Sequence, residues 1–208
     1  MKAGILIFHQ AEELDFVGPW EMLTMWEKVA DGPDCILVAE KLEPVICAKG
    51  MSVNSQMDFS TCPDLDLLLV PGGMGTRREF ANPKLIEFIS SLSRGCQAVL
   101  SVCTGSFLLY AAGLLSGKRA TTHWGSLDRM RGLGDVEVIE QRYVRDGNIW
   151  TSAGVSAGID MTLAFIAETA GHEAAGLVQL QAEYYPSDII YGEVPESPAY
   201  VKADRQLR

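Results

Sequence analysis

The sequence predicts an α/β protein with a mostly parallel sheet and helices on both of its faces. Short, largely apolar runs at 3–8, 65–70 and 97–101 are typical of strands that are buried on both sides. Segments with helical spacing of apolar residues alternate with these runs, as in strand–helix–strand units. With 208 residues, of which 48% are hydrophobic and 21% charged, the chain fits a single domain with a sizeable core.

In the first half of the chain, glycine and proline mark the element ends. Gly18-Pro19 is expected to open the first helix after a loop at 9–17, because a proline in the first turn has no backbone bond to lose. Lys49-Gly50 is the expected turn of a hairpin, and Gly95 ends a helix. The predicted elements are a strand at 3–8, a helix opening at 18, a strand at 35–39, a hairpin at 45–53, a strand at 65–70 and a helix at 85–92.

The second half starts with a strand at 97–101 that runs directly into a helical apolar pattern, which Gly113 and Gly117 interrupt. Asp146-Gly147 is a strong hairpin turn, and Gly171 separates two helices. Further elements are predicted as a helical segment after Trp124, strands at 136–139, 142–144 and 149–151, and helices at 155–170 and 172–184. We expect one α/β domain at 1–185 and a surface tail at 186–208, where no periodic pattern is found.

The net charge of −10 argues against nucleic acid and anionic membranes as partners, because such a surface repels phosphate groups. The apolar run at the N-terminus is too short for a signal peptide, and no run approaches the ~18 residues of a membrane span. We therefore expect a cytoplasmic protein.

The five cysteines form no CxxC unit and cannot all pair, so neither a disulfide framework nor a zinc ribbon is predicted. Cys35, Cys47 and Cys96 lie in or beside strand-like segments and are interpreted as buried structural residues. Cys62, next to Pro63, is expected in a loop.

The fifth cysteine, Cys103, lies between the strand at 97–101 and the following helix. Ser101 and Gly105, two residues before and two after it, are small, as the strained turn of a nucleophile elbow requires. At the N-terminus of a helix, the dipole and free N–H groups are expected to favour the thiolate. The alternative is that Cys103 is a small buried hydrophobic residue.

Other candidate residues lie at the expected carboxyl ends of strands, the edge where open α/β sheets bind ligands. Asp15 follows the first strand, although a capping role is equally compatible with its position. Gly72 and Gly73 follow the strand at 65–70, where their N–H groups can line an oxyanion site or simply form a tight turn.

His123 is one of three histidines and is a candidate for proton transfer, the alternative being a structural hydrogen bond. Asp160 lies in the first turns of a predicted helix and is interpreted as a dipole or capping residue.

Five stretches together resemble one known family. They are Leu14 to Pro19, Val70 to Gly73, Ser101 to Ser106, Ala120 to Trp124 and Ser152 to Asp160. In content and order they resemble the ThiJ/PfpI family of the class I glutamine-amidotransferase-like superfamily, over about residues 3–185. The resemblance implies a flavodoxin-like sandwich with a strand–nucleophile elbow–helix unit.

Within this family the sequence is most similar to the branch that hydrates isonitriles, which shares the Cys-Thr-Gly elbow, Asp15, the Thr-Thr-His-Trp segment and the stretch 177–181. Family proteases and amidases place histidine directly after the nucleophile, where this chain has Thr104. Relatives with glyoxalase or deglycase activity usually carry glutamate where this chain has Asp15. AraC-type regulators contain a similar domain followed by a helix-turn-helix module, which we do not expect in this acidic protein.

The resemblance implies hydration of an isonitrile to an N-substituted formamide, without a cofactor or metal, by a homodimer. Cys103, Asp15 and Thr104 are the expected catalytic residues, and Gly72, Gly73 and His123 are expected to bind the substrate or an oxyanion. In this hypothesis Cys103 attacks the terminal carbon, protonated Asp15 delivers a proton, and water hydrolyses the resulting thioimidate.

Two alternatives remain. One is a different small-molecule reaction at Cys103, of the glyoxalase or deglycase type. The other is a redox-responsive or stress-related binding protein, because elbow cysteines near acids oxidise readily.

Overall fold

The central sheet of the protein, seen in a computed structural model that describes residues 1–186 and Tyr200, has seven strands in this part of the chain. These strands are β1 Lys2–Leu6, β2 Asp34–Ala39, β5 Met57–Asp58, β6 Leu67–Val70, β7 Ala98–Val102, β10 Tyr143–Asp146 and β11 Ile149–Ser152. The remaining short strands are β3 Val45–Ile46, β4 Ser52–Val53, β8 Arg119–Ala120 and β9 Glu137–Val138.

The order of the sheet is β5-β2-β1-β6-β7-β11-β10. All neighbouring strands are parallel except β10 and β11, which form an antiparallel hairpin through Gly147 at φ 64°. The predicted fold class, a mostly parallel flavodoxin-like sheet with helices, is confirmed. The central strands β6 and β7 are buried along their whole length, which explains their apolar sequences.

Two groups of packed helices flank the sheet. One group is formed by α1 Glu13–Ala30, α6 Ala157–Ala170 and α7 His172–Gln181, which contact one another. The other is formed by α2 Thr76–Glu79, α3 Pro83–Ser93 and α4 Gly105–Ala111. A 3-10 turn, Trp124–Ser126, leads into α5 Leu127–Arg131. No helix of the described residues has both the length and the apolar character needed to cross a bilayer.

The first helix differs from its prediction in a way that matters for the site. It begins at Glu13, so the expected loop at 9–17 is wrong and Pro19 lies inside the helix. Phe16 and Leu23 are buried on either side of Pro19, and their packing offsets the one backbone bond that proline removes. Asp15 consequently sits in the first helical turn.

Most other elements agree with the prediction within a few residues, including the β3–β4 hairpin and the two final helices. The helix after the elbow ends at Ala111, before Leu115, because Gly113 adopts a φ of 78°. The pattern missed β5 and α2, which have two and four residues and are too short to show periodicity. The predicted tail at 186–208 lies outside the described residues, apart from Pro186 and Tyr200, and the boundary at 185 stays a prediction.

The cysteines behave as expected outside the elbow. All five are free thiols; Cys35, Cys47 and Cys96 are buried, and Cys62 is half-buried.

The strand order identifies the edge of the sheet at which a ligand is expected to bind. The chain leaves β1 towards β2 and β5, then returns to the other side of β1 with β6. The carboxyl ends of β1 and β6 therefore flank a crevice, the topological switch point at which open α/β sheets bind ligands.

Candidate active site

Cys103 forms a sharp turn between β7 and α4. Its φ is 58°, a left-handed conformation that is uncommon outside glycine, as expected for a nucleophile elbow. The neighbours of Cys103 must be small because the backbone after β6 passes close to the elbow. A Cβ on Gly105 would lie 2.3 Å from the carbonyl oxygen of Val70. Ser101 is fully buried. The strand–turn–helix context predicted from the sequence is confirmed.

The elbow is held by hydrogen bonds on both sides of its peptide unit. The Cys103 N–H donates to the carbonyl oxygens of Ser152 and Ala153, each at 3.1 Å. Its carbonyl oxygen accepts the hydroxyls of Thr122 at 3.0 Å and Ser106 at 3.1 Å. Surrounding structure thus over-determines a strained conformation, a situation typical of functional sites.

Asp15 reaches the elbow from the first turn of α1 and is fully buried. Its Oδ2 accepts the Gly72 N–H at 2.9 Å, while Oδ1 is buried without a well-formed hydrogen bond in the described part of the chain. Burial raises the pKa of Asp15 to about 7, against the lowering effects of the Gly72 N–H and of the neighbouring Cys103 thiol. Asp15 is thus a carboxyl group that can hold or release a proton near neutral pH.

The Cys103 thiol is protonated in the resting site. Burial raises its pKa to about 12, and the negative charge of Asp15 adds to this rise. Hydrogen bonds from Thr104 and from the Val155 N–H oppose the rise without overcoming it. Burial therefore opposes the preference for the thiolate that is expected at a helix N-terminus, and that preference stays a prediction.

Together the two groups share one proton over a wide pH range. Between the pKa of Asp15, about 7, and that of Cys103, about 12, the pair carries a single proton and a single negative charge. Either group can hold that proton during a reaction.

Gly72 and Gly73 hold the side chains of Asp15 and Thr104 through their backbone N–H groups. The Gly72 N–H donates to Asp15, and the Gly73 N–H donates to the Thr104 Oγ1 at 3.0 Å. Gly72 has no room for a side chain, because a Cβ would lie 2.5 Å from the Thr104 nitrogen and 2.8 Å from the Asp15 Oδ2. Both N–H groups are thus occupied by protein acceptors in this structure.

Thr76 is a further member of this network that the sequence pattern did not indicate. Its hydroxyl donates to the Gly73 carbonyl oxygen at 2.8 Å and lies 3.1 Å from the Thr104 Oγ1. It is almost fully buried on the four-residue helix α2. The run of glycines before it was a visible signal for a turn, but nothing in the local pattern distinguished this threonine.

His123 lies at the margin of the site. Its Nδ1 accepts the Gly125 N–H at 3.1 Å, which leaves the ring proton on Nε2. The ring packs on Gly154, where a Cβ would lie 2.4 Å from its Cδ2. Burial lowers the pKa of His123, so the ring is neutral at pH 7. No hydrogen bond joins it to Cys103 or Asp15 among the described residues.

Asp160 makes no capping bond to the start of α6. Its Oδ2 instead accepts the Arg142 Nε at 2.6 Å, and its Oδ1 accepts the Tyr184 hydroxyl at 3.0 Å. The capping part of the interpretation is therefore wrong, whereas the position of Asp160 in the first turn of α6 agrees with a residue that faces the helix dipole. Arg142, which sequence reasoning missed, connects this carboxylate to the turn beside the elbow.

A groove of about 510 Å³ opens beside the site and shares Val155 with it. Leu14, Met51 and Val155 supply an aliphatic lining, and Glu12, Glu13 and Lys49 complete it. A larger cleft of about 580 Å³ lies at the ends of β1 and β2. Cys103 and Asp15 line neither space, but the groove borders Val155, whose N–H faces the Cys103 sulfur. Within 1–186 and at Tyr200, no group of three or more His, Cys, Asp or Glu side chains has the arrangement of a metal site.

Comparisons with known proteins agree with this architecture. The sequence model of the DJ-1/PfpI family matches residues 1–168. The chain is 42% identical to the isonitrile hydratase of Pseudomonas putida over 90% of its own length and 80% of that protein. It is 33% identical to a deglycase of Pyrococcus abyssi over 74% of its length and 90% of that protein.

A solved structure extends the similarity to nearly the whole chain. A ThiJ/PfpI family protein from Pseudomonas syringae superposes with a TM-score of 0.86 at 33% identity, covering 99% of this chain and 84% of that one. The matched sequence model, the identity to curated relatives and the shared fold lead to one conclusion: this chain belongs to the DJ-1/PfpI family.

Proposed function

We propose that this protein hydrates isonitriles to N-substituted formamides, with Cys103 as nucleophile and Asp15 as acid and base. The observation that carries the proposal is the buried Asp15 carboxyl beside the Cys103 thiol at the strained elbow, where burial raises the pKa of both groups. An isonitrile needs both a nucleophile and a proton at the same terminal carbon, and such a pair supplies both. The 42% identity to the Pseudomonas putida isonitrile hydratase supports the same reaction.

The first step forms a thioimidate. The Asp15 carboxylate accepts the thiol proton as the sulfur attacks the terminal carbon of R–N≡C, which forms the C–S bond. Asp15 then gives that proton to the same carbon, yielding R–N=CH–S–Cys103 with no net change in charge. The N–H of Val155 and the Thr104 groups that face the sulfur stabilise its negative charge as the thiolate forms and later leaves.

The second step consumes one water. Asp15 takes a proton from water as the oxygen adds to the imidoyl carbon, and it then passes this proton to the nitrogen and returns to the carboxylate. The tetrahedral intermediate then collapses: the C–S bond breaks, the carbonyl forms, and the hydroxyl proton returns to the Asp15–Cys103 pair. The product is R–NH–CHO, which equals the isonitrile plus one water.

The groove supports a small, uncharged aliphatic substituent R. Leu14, Met51 and Val155 offer apolar contact, whereas Glu12 and Glu13 outnumber Lys49 and give the groove a net negative charge. A carboxylate on R would be repelled.

The test is a comparison of wild type, Cys103→Ala, Asp15→Asn and the control Cys47→Ala, which removes a buried thiol outside the site. We expect wild type and Cys47→Ala to convert a simple alkyl isonitrile to the formamide, detected by NMR, and Cys103→Ala to be inactive. Asp15→Asn is expected to lose activity by two or more orders of magnitude. Intact mass after acid quench is expected to show the wild-type chain with one added isonitrile.

Methylglyoxal is assayed beside the isonitrile, because a deglycase is among the relatives. Turnover of methylglyoxal without turnover of any isonitrile would replace the proposed reaction by the second candidate. Normal isonitrile hydration by Cys103→Ala would remove the mechanism.

A further inference from the structure

Two strained turns meet at the Cys103 sulfur. One is the elbow itself; the other, here called the Val155 turn, comprises residues Ala153 to Ser156 between β11 and α6. Val155 has a φ of 49°, a genuine outlier for a β-branched residue, which must be held in place by its surroundings. This turn contacts the elbow through the Ala153 carbonyl oxygen, which accepts the Cys103 N–H at 3.1 Å. The Val155 N–H faces the Cys103 sulfur and lowers the pKa of the thiol.

Arg142 holds the Val155 turn at both of its ends. Its carbonyl oxygen accepts the Ala153 N–H at 2.9 Å, and its guanidinium donates to the Ser156 Oγ at 3.0 Å. The same guanidinium donates through Nε to Asp160 on the first turns of α6. A planar guanidinium can make these two side-chain bonds in a fixed relative geometry.

The Arg142–Asp160 pair is unremarkable as a source of stability. The side chains are 38% and 27% exposed, and ion pairs exposed to this degree contribute little to the stability of the folded state. A second pair, Arg145 of β10 with Glu168 of α6, lies nearby in sequence, but it makes no contact with the Val155 turn in the described structure. The two ion pairs are therefore similar in type, but only the Arg142–Asp160 pair contacts the Val155 turn. The Arg145–Glu168 pair can serve as a control.

We propose that Arg142 and Asp160 are positioning residues, which keep Val155 in its left-handed conformation so that its N–H remains directed at the Cys103 sulfur. The kinetic part of this inference rests on the proposed function. The geometric part applies to any reaction in which the Cys103 sulfur carries negative charge, because a fixed N–H donor stabilises that charge.

The test measures how fast the Cys103 thiol reacts with iodoacetamide at pH 8.5, quantified by mass spectrometry of the peptide that contains it. Asp15 is the titratable group that faces Cys103, and it is the same in all proteins compared. Arg142→Gln is expected to slow alkylation about tenfold, the loss expected for one charge-assisted hydrogen bond. It is also expected to lower kcat for the isonitrile while KM stays within about twofold. Glu168→Gln is the control and is expected to react like wild type.

The Val155→Gly variant tests whether Arg142 acts through the conformation of residue 155. Glycine adopts a positive φ without support from its surroundings, so Arg142 is no longer needed to hold it. In the Val155→Gly background, Arg142→Gln is expected to change the alkylation rate by less than about twofold. A full tenfold effect in that background, or equal rates for Arg142→Gln and Glu168→Gln, would overturn the proposal.

If Arg142→Gln does not fold, Ser156→Ala removes one guanidinium contact without removing a helix cap, and it is expected to slow alkylation two- to threefold. An unchanged rate in Ser156→Ala would then overturn the proposal.

The two proposals fail separately. If alkylation follows this pattern but no isonitrile is hydrated, the positioning role stands and the proposed function does not.

Discussion

At the scale of single residues, the carboxyl group of Asp15 is fully buried and receives one backbone hydrogen bond, from Gly72. Its folded pKa of about 7 lies well above its ordinary value of 3.8. The folded state therefore binds a proton more tightly than the unfolded state does. Linkage then requires that stability falls as pH rises from about 4 to about 7, and that the loss remains complete above pH 7.

Replacement of Asp15 tests this linkage. Because asparagine carries no charge, we expect Asp15→Asn to be more stable than wild type by roughly 2–4 kcal/mol at pH 9 and by less than about 1 kcal/mol at pH 4. The measurement is urea unfolding at both pH values, with the exposed Asp31→Asn as control for the same change in net charge. A stability difference that does not vary with pH would contradict the burial of this charge.

The pH dependence of turnover follows from the same pair. Reaction needs the state with one proton, in which Asp15 can accept the thiol proton. We expect kcat/KM to rise about tenfold per pH unit below pH 7 and to level off above it. Stopped assays from pH 5 to 9 check this; a rate that falls through pH 7 would mean that the doubly protonated pair reacts.

The position of Cys103 at an elbow between a strand and a helix was predictable from its small neighbours and the following helix. The effect of burial on the pKa of its thiol was not. The local pattern contains the helix terminus that favours a thiolate. It does not contain the burial by distant segments that raises the thiol pKa to about 12. Asp15 was selected from its place after the first strand and from the family resemblance, which also implied its role as an acid. The hydrogen bond from the Gly72 N–H, which fixes its Oδ2, was not predictable from the sequence.

At the scale of elements, the loop after β6 passes between the start of α1 and the start of α4, and the gap there has room for a backbone without a side chain. Gly72 lies between Asp15 and Thr104, and a methyl group there would overlap atoms of both. Gly176, within α7, has open space around its Cβ position and an ordinary helical backbone. The two glycines therefore predict opposite effects of the same substitution.

We expect Gly72→Ala to destabilise the protein by about 1–3 kcal/mol through overpacking and to lower turnover at least a hundredfold. Gly176→Ala is expected to stabilise it by about 0.5–1 kcal/mol and to leave turnover unchanged. Thermal unfolding and the isonitrile assay measure both. Full activity in Gly72→Ala would show that the loop can move away from Asp15 without cost.

Element boundaries were predicted well where periodicity was long and poorly where packing decided them. The helix α6 extends over 14 residues and was predicted almost in full. The start of α1 was misplaced because Pro19 is a valid first-turn residue and the sequence does not reveal the α6 side chain, Ile159, that packs against Gly18. The strands β8 and β9, of two residues each, depend on pairing with each other.

At the scale of the whole molecule, large apolar side chains are exposed around the mouth of the site. Leu14 is 37% exposed, Ile46 43% and Met51 48%. Clustered exposure of this kind marks interaction surfaces, and a self-complementary contact between two copies is the commonest arrangement. We therefore propose that the homodimer implied by the family resemblance covers this mouth.

Light scattering during size exclusion tests the dimer, with Met51→Glu as the variant and Leu180→Glu, an exposed site on α7, as control. We expect a dimer for wild type and Leu180→Glu, and a weakened dimer with raised KM for Met51→Glu. A monomeric wild type with full activity would exclude a contribution of a second copy to the site.

The parallel character of the sheet was predictable from the sequence, whereas the order of its strands was not. Alternating strands and helices predicted a parallel sheet, and the family resemblance implied its flavodoxin-like form. The particular neighbours of β1 follow from the packing of all the helices, which no local window contains.

The site's hydrogen bonds also join segments that are far apart along the chain: 57 residues separate Gly72 from Asp15, and 31 separate Gly73 from Thr104. Loop closures of this length are late events in folding, because their entropy cost must be met before their contacts form. The Cys103 thiol consequently becomes shielded only when β1, β6, β7 and β11 have all assembled. In a refolding experiment, its protection from a thiol reagent marks the completion of the native sheet.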